Sequence, residues 1–474
     1  MKFLHLLPLA AATSALVLPQ EEVFEDVSIE NHHRDWVDEV VAEKDHVVSE
    51  ASSMFEKYFQ GAKDKTQDAW ASITETSSNA LDAAFDQAND ASETAQSKVY
   101  DAASGVQSWV DSALEDARET FDEGHHRPHH PPHHGKPNMT VYQLISESKY
   151  TTKLAKAISE FDDLVEALNS TISNYTVFAP TDKAFDKIPM HGEKPSKEMI
   201  KAFLSYHVVP DFAPAVKVLS THTFPTLLKS DHLGSEPLPQ RLTPRISLRG
   251  LTINFYSRIV AINIFGTNGV IHGIDTPLFP PPGAIRTIDF VPEDFSTLEL
   301  GLIKTGLLEK LNTTDHAGGT FFAPSNFAFK KLGPKVNAFL FSQYGLKYLK
   351  ALLEYHVVPE NTLYSDAYYK ADSSNIEPSG KNGYFHVDLP TLLKDRSLAV
   401  DIARYGGFIS IKVNAFATVS VQDVVAEDGV IQVMGDVLVP PKKLGGEAQY
   451  WQGEEMSVED LKERLEPFVA KSDL

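Results

Sequence analysis

The pentapeptide Tyr-His-Val-Val-Pro stands twice in the chain, at Tyr206–Pro210 and Tyr355–Pro359, with matching sequence around each copy. A decapeptide precedes each one, Thr176–Phe185 (TVFAPTDKAF) and Thr320–Phe329 (TFFAPSNFAF), and the block Asn268–Pro281 is answered by Asp428–Pro441. The offset between copies is 144 residues at the decapeptide, 149 at the pentapeptide and 160 at the last block. A period that long specifies two tandem domains, since solenoid repeats run about 20 to 50 residues. Most of the extra length in the second copy falls after Pro359, and the polar stretch Ser365–Asn382 is expected to carry it as a surface loop.

The 474 residues leave room beyond those two domains. Residues 1–15, with Lys2, an apolar run and small residues Thr13 and Ala15, read as a signal peptide. Residues 16–123 form an acidic, alanine-rich arm with 26 acidic and 7 basic side chains between Glu21 and Glu123, so most of the net charge of -22 lies there. Its apolar stripe (Trp70, Ile73, Leu81, Ala84, Ala91, Ala95, Val99) is rich in alanine, which buries little area, and a solvated helix or a disordered arm is expected. The acidic sign speaks against a helix lying on a membrane surface. Nucleic acid is excluded as a partner, because the chain offers no concentrated basic face.

Residues 124–137 are a His/Pro-rich linker. His125, His126, His129, His130, His133 and His134 fall in three pairs spaced four apart, a set that neutral imidazoles can present to Zn²⁺, Cu²⁺ or Ni²⁺. The competing reading is a polar spacer, because no scaffold presets a coordination geometry. Cysteine is absent from the chain, which removes disulfide and thiolate chemistry. Asn138, Asn169, Asn174 and Asn312 head N-glycosylation sequons that fit a secretory route. No run reaches the roughly 18 to 20 apolar residues of a membrane span.

The two units are placed at 138–283 and 284–442, followed by a tail at 443–474. In each, an apolar strand ends at Ala-Pro, and Thr181 or Ser325 supplies the N-cap of a short helix. A longer helix follows. Ile200, Phe203, Leu204 and His207, like Leu349, Leu352, Leu353 and His356, have i, i+3, i+4, i+7 spacing, so the histidine lies on the buried face of the last turn. Alternating apolar residues then mark strands, Asn268-Gly269 and Asp428-Gly429 are expected as two-residue hairpin turns, and the whole reads as α+β with an antiparallel sheet.

These three blocks, in order and in both units, resemble the fasciclin (FAS1) domain family over about 138–442. The resemblance implies two antiparallel β-sheet wedges with accessory helices, and roles in adhesion or surface organisation without catalysis or a required cofactor. The arrangement of a signal peptide, two such domains and no membrane anchor is similar to that of fungal members of the cell surface or vacuole, which implies protein or glycan partners. The pairs Tyr206-His207 and Tyr355-His356 are candidates for a binding motif or for core markers. A histidine on an apolar helical face is expected to bond a backbone carbonyl of the first block. Nucleophile elbow, phosphate-loop and zinc-protease motifs are all absent from the sequence. The functional expectation is a non-enzymatic glycoprotein of the secretory pathway, with a metal- or pH-responsive lumenal protein using the histidine linker as the alternative.

Overall fold

A computed structural model describes residues 137–188, 195–247, 250–311, 318–370, 383–405, 408–444, 447–451, 453 and 456–469. The signal peptide, the acidic arm, the six histidines and Asn312 lie outside the described residues. The described chain falls into two compact units, one holding 137–228 and Pro244–Pro280, the other Lys229–Thr243 and the chain from Pro281 onward.

The first unit begins with three short helices, Val141–Glu147, Thr152–Ser159 and Asp162–Asn169. Thr140 starts them with a reciprocal capping box to Gln143, satisfying two backbone donors that a helix start leaves orphaned. Their apolar faces (Val141, Ile145, Leu154, Leu168) close over β1 (Tyr175–Pro180) and helix Lys197–Tyr206. In chain order the strands that follow are β2 (Val208–Val209), β3 (Phe224–Ser230), β4 (Leu238–Leu242), β5 (Pro244–Ser247), β6 (Gly250–Ile253), β7 (Ser257–Gly266) and β8 (Gly269–Ile274), of which β4 and the end of β3 fall in the segment assigned to the second unit. The main sheet runs β2-β1-β8-β7-β6-β5, and β3 with β4 makes a separate ribbon.

The second unit repeats the plan with β9 (Gly319–Pro324), β10 (Val357–Pro359), β11 (Asn361–Leu363), β12 (Tyr368–Lys370), β13 (Gly383–Pro390), β14 (Ser397–Tyr405), β15 (Phe408–Val413), β16 (Ala417–Ala426) and β17 (Gly429–Met434). Its sheet runs β10-β9-β17-β16-β15-β14-β13, so β13 is an additional edge strand. Helix Val458–Val469 packs Leu461, Leu465 and Val469 into this unit, and Arg464 donates to Asp460 and to the Gln449 carbonyl.

The α+β class holds, with one refinement. Within the two main sheets the pairs β1·β8 and β9·β17 are parallel, and the other strand pairs are antiparallel. The last-block strand lies between the first-block strand and its own hairpin partner, and after a long excursion no hairpin to the first block fixes its direction there. Two local expectations shift. Gly266 pairs with Gly269 and Ala426 with Gly429, so the turn residues are Thr267-Asn268 and Glu427-Asp428, one place earlier than expected. Ser365–Lys370, expected in a surface loop, is instead largely buried, with Ser365 and Tyr369 at 0% exposure and Asp366 and Lys370 half-buried; residues 371–382 lie outside the described residues.

The segment Lys229–Thr243 belongs by sequence to the first copy, yet it is built into the second unit. Arg241, 4% exposed, lies over the rings of Tyr364 and Tyr369 and donates to the Tyr369 hydroxyl at 2.9 Å, with the Asp366 carboxylate at 3.7 Å. Leu233 and Leu238 pack with Tyr364, Tyr369, Val425 and Val430. Gln240 donates to the carbonyls of Ala426 and Glu427, and Thr243 to that of Asp423. Arg241→Met keeps the stem but removes the charge-assisted bonds, and a loss of about 2 kcal/mol from the second unit is expected, read as a lowered denaturant midpoint for that unit.

Candidate functional site

Each Tyr-His pair is placed by the end of a helix, Lys197–Tyr206 in one unit and Leu346–Glu354 in the other. All four side chains are at most 1% exposed. His207 Nδ1 meets the Phe203 carbonyl of its own helix at 2.7 Å, and its Nε2 accepts from the Leu278 amide at 2.8 Å. His356 repeats both bonds at 2.8 Å, to the Leu352 carbonyl and from the Leu438 amide. A carbonyl needs a donor and an amide needs an acceptor, so the ring is held neutral with its proton on Nδ1. The expected partner in the first block is replaced by one carbonyl in the same helix and one amide in the last block, because the helix end points the ring across the sheet toward the closing Pro-Pro segment. The tyrosines serve the sheet's far turn. Tyr206 Oη accepts from Asn254 at 2.7 Å and Tyr355 Oη from Asn414 at 3.1 Å, and both asparagines hold left-handed backbone (φ 49° and 54°).

A third histidine escaped the sequence reading. His272 on β8 is fully buried; its Nε2 meets the Ala213 carbonyl at 2.9 Å and its Nδ1 accepts from the Asn263 amide at 3.4 Å. The same position in the second unit is Gln432, whose amide donates to the Leu363 carbonyl and accepts from the Asp423 amide. Asn263 and Asp423 both sit at a bulge with positive φ (57° and 56°), so a ring and an amide fill one role. The alignment of the two last blocks sets His272 against Gln432 at the 160-residue offset, but burial and the bulge they serve are not visible in it.

Burial pushes His207, His272 and His356 down to about 4, against a smaller upward pull from the carbonyl each one meets. Glu427 moves the other way. Burial, with the Asp428 charge added and Arg286 opposing, raises its carboxyl to about 7. Its Oε1 has no hydrogen-bond partner, and His232 Nε2 stands 3.7 Å away. Among the described residues no His, Asp, Glu or Cys group is arranged to hold a metal, and no helix is long and apolar enough to cross a membrane.

Three sequon asparagines share one end of the first unit. Asn138 and Asn174 are exposed, while Asn169 is half-buried, with its Oδ1 accepting from Thr140 Oγ at 2.7 Å. That bond brings the first two sequons together across 29 residues of chain.

The Fasciclin domain profile matches residues 149–280 and 293–440. The chain belongs to the fasciclin-domain family. It is 30% identical over 360 residues to Aurofusarin biosynthesis cluster protein S of Gibberella zeae, covering 70% of this chain and 87% of that one. Human periostin is 25% identical over 61% of this chain, which spans 31% of periostin's length. Cell surface glycolipoprotein MPB83 of Mycobacterium bovis is 31% identical over 28% of this chain and 56% of its own. A solved FAS1 domain pair from the insect cell adhesion molecule Fasciclin I covers 62% of this chain and 98% of its own at 19% identity and a TM-score of 0.32. Fasciclin-domain homologues are non-enzymatic adhesion or cell-surface proteins.

Proposed function

We propose that the protein is an adhesive or organising glycoprotein of the secretory pathway, delivered to the cell surface or a vacuole, that holds protein or glycan partners with the exterior of its two fasciclin units. One observation carries this reading. In both units the signature Tyr-His pair is spent on internal hydrogen bonds, so partner contact falls to exposed faces and loops. Sequons on one end of the first unit support a glycosylated protein, with Asn138 and Asn174 the accessible acceptors. The six-histidine linker supports a second reading, metal capture, through its three imidazole pairs.

The test uses the intact, glycosylated chain immobilised on beads and exposed to wall and membrane fractions from its own source. Retention of surface or lumenal material that persists in EDTA is expected. Complete release by EDTA would transfer the function to the histidine linker, and no retention in any fraction would remove the adhesive reading.

A further inference from the structure

The outer face of the second sheet carries an ordered polar cluster around an exposed aromatic ring. On the edge strand β13, Tyr384, His386 and Asp388 alternate outward, while Leu398, Val400 and Ile402 of the neighbouring strand point into the core. In register, Tyr384 stands opposite Ala403, His386 opposite Asp401 and Asp388 opposite Ala399; one strand further, Ala403 faces Ser410 and Asp401 faces Lys412. The middle strand therefore has alanine on each side of Asp401. Taller side chains flank it on both neighbouring strands, which leaves a shallow trough.

Asp401 organises the face. The Tyr384 hydroxyl donates to its Oδ1, and His386 Nδ1 meets the same oxygen at 2.6 Å. Partial burial pushes the Asp401 carboxyl up, but the bonds from Tyr384 and His386 outweigh it and hold it below the usual range. Both bonds fall on one oxygen, so Oδ2 is left as an acceptor beside the trough. The Tyr384 ring, 69% exposed, is tied at its hydroxyl and presents its face to water. An exposed aromatic with only two side-chain torsions, one of them already restrained, is an anchor of low entropy cost.

We propose that this face binds a neutral carbohydrate chain. Tyr384 stacks on the C–H face of a sugar ring, Asp401 accepts from its hydroxyls, and Ser410 and Lys412 donate to its oxygens from the far wall. Charge selects the class of ligand. Asp388 and Asp401 are opposed by Lys412 and by His386, whose affinity for a proton is raised by its bond to Asp401, so the face offers neither a concentrated anion nor a concentrated cation. A polyhydroxylated neutral chain needs convergent donors, acceptors and an apolar plate, and this trough supplies all three. The main sheet of the first unit has no counterpart, since it ends at β5 without a strand equivalent to β13. The inference rests on the adhesive reading and narrows it to one face and one ligand class.

The test is calorimetric titration of the intact protein with three soluble neutral glycans, a β-1,3-glucan, a chitin hexasaccharide and a mannan. At least one is expected to bind. Tyr384→Ala should weaken that binding at least tenfold, and Ala403→Arg, which fills the trough without touching the core, should abolish it. Both exposed variants should keep the parent unfolding temperature. Glycan binding left intact in both variants would place the ligand elsewhere and overturn the site while sparing the adhesive reading. Absence of glycan binding, with retention on beads still observed, would overturn the carbohydrate class in favour of a protein partner, for example a strand added at the β13 edge. Absence of both would remove the two readings together.

Discussion

Acidification from pH 7 to pH 4 is expected to unfold the first unit well before the second. His207 and His272 titrate near 4 in the fold and near 6.5 when unfolded. The folded state therefore disfavours the proton. The stability tied to each ring is present above pH 6.5 and is lost as pH falls toward 4, by about 3 kcal/mol per ring at pH 4. Protonation would put a second N–H against the Leu278 amide in one case and against the Asn263 amide in the other. The second unit has one such ring, His356, and two groups of opposite sign. Glu427 titrates near 7 and Asp289 near 6, above their ordinary 4.5 and 3.8. Their burial cost is absent in acid and grows as pH rises through those windows, so acidification returns about 3 kcal/mol at Glu427 and offsets the loss at His356. Calorimetry of the intact chain between pH 7 and pH 4 should show one transition moving down steeply while the other holds. His272→Gln copies the residue that fills this role in the second unit, and it should recover about half of the first unit's loss. Parallel movement of the two transitions, or no gain from His272→Gln at pH 4, would defeat this account.

Gly269→Ala and Gly429→Ala are each expected to cost about 4 kcal/mol, confined to the unit that carries the substitution. Each glycine opens the strand that runs parallel to the first-block strand, with Tyr175 in register with Gly269. A Cβ at Gly269 would lie 2.0 Å from the Tyr175 carbonyl oxygen, and one at Gly429 would lie 2.2 Å from that of Gly319. Those obstacles are backbone at the centre of a sheet, so no side chain can turn aside to relieve them. The φ values, 157° and 155°, add strain for a residue with a Cβ. Gly435→Ala is the control, because nothing lies within 4 Å of its Cβ position, and it should cost less than about 1 kcal/mol. Denaturant unfolding followed separately for the two units measures all three. A cost at Gly269 no larger than at Gly435 would show that the strand start can move aside.

Much of the fold was legible because it rests on local pattern. Thr181 and Ser325 do cap their helices, accepting from Ala184 and Ala328, since an N-cap is set by residues three apart. The i, i+3, i+4, i+7 spacing put His207 and His356 on buried faces, and burial there is complete to within 1%. Their partners were not legible. Leu278 and Leu438 lie 71 and 82 residues downstream, and the backbone amide of a leucine has no signature in a sequence. Ser365–Lys370 was misread as surface loop because polar composition hides Ser365, which donates to the buried Asp423, and because Tyr369 meets Arg241 from a distant segment. The Tyr384 face went unseen for the related reason that β13 follows that supposed loop and gains meaning only when Asp401 is brought beside it.

The duplication, the α+β class and the family were determined by the amino-acid order alone, because repeated motifs, caps and periodicity are properties of neighbouring residues. The tertiary structure alone decided which strands run parallel, that Lys229–Thr243 completes the second unit, and that His272 and Gln432 fill one position, one with a ring that titrates and the other with an amide that does not. Each of those outcomes depends on a hydrogen bond or a packing contact between segments far apart in the chain. Such partners are selected by the closing of the whole core, and no local stretch specifies them.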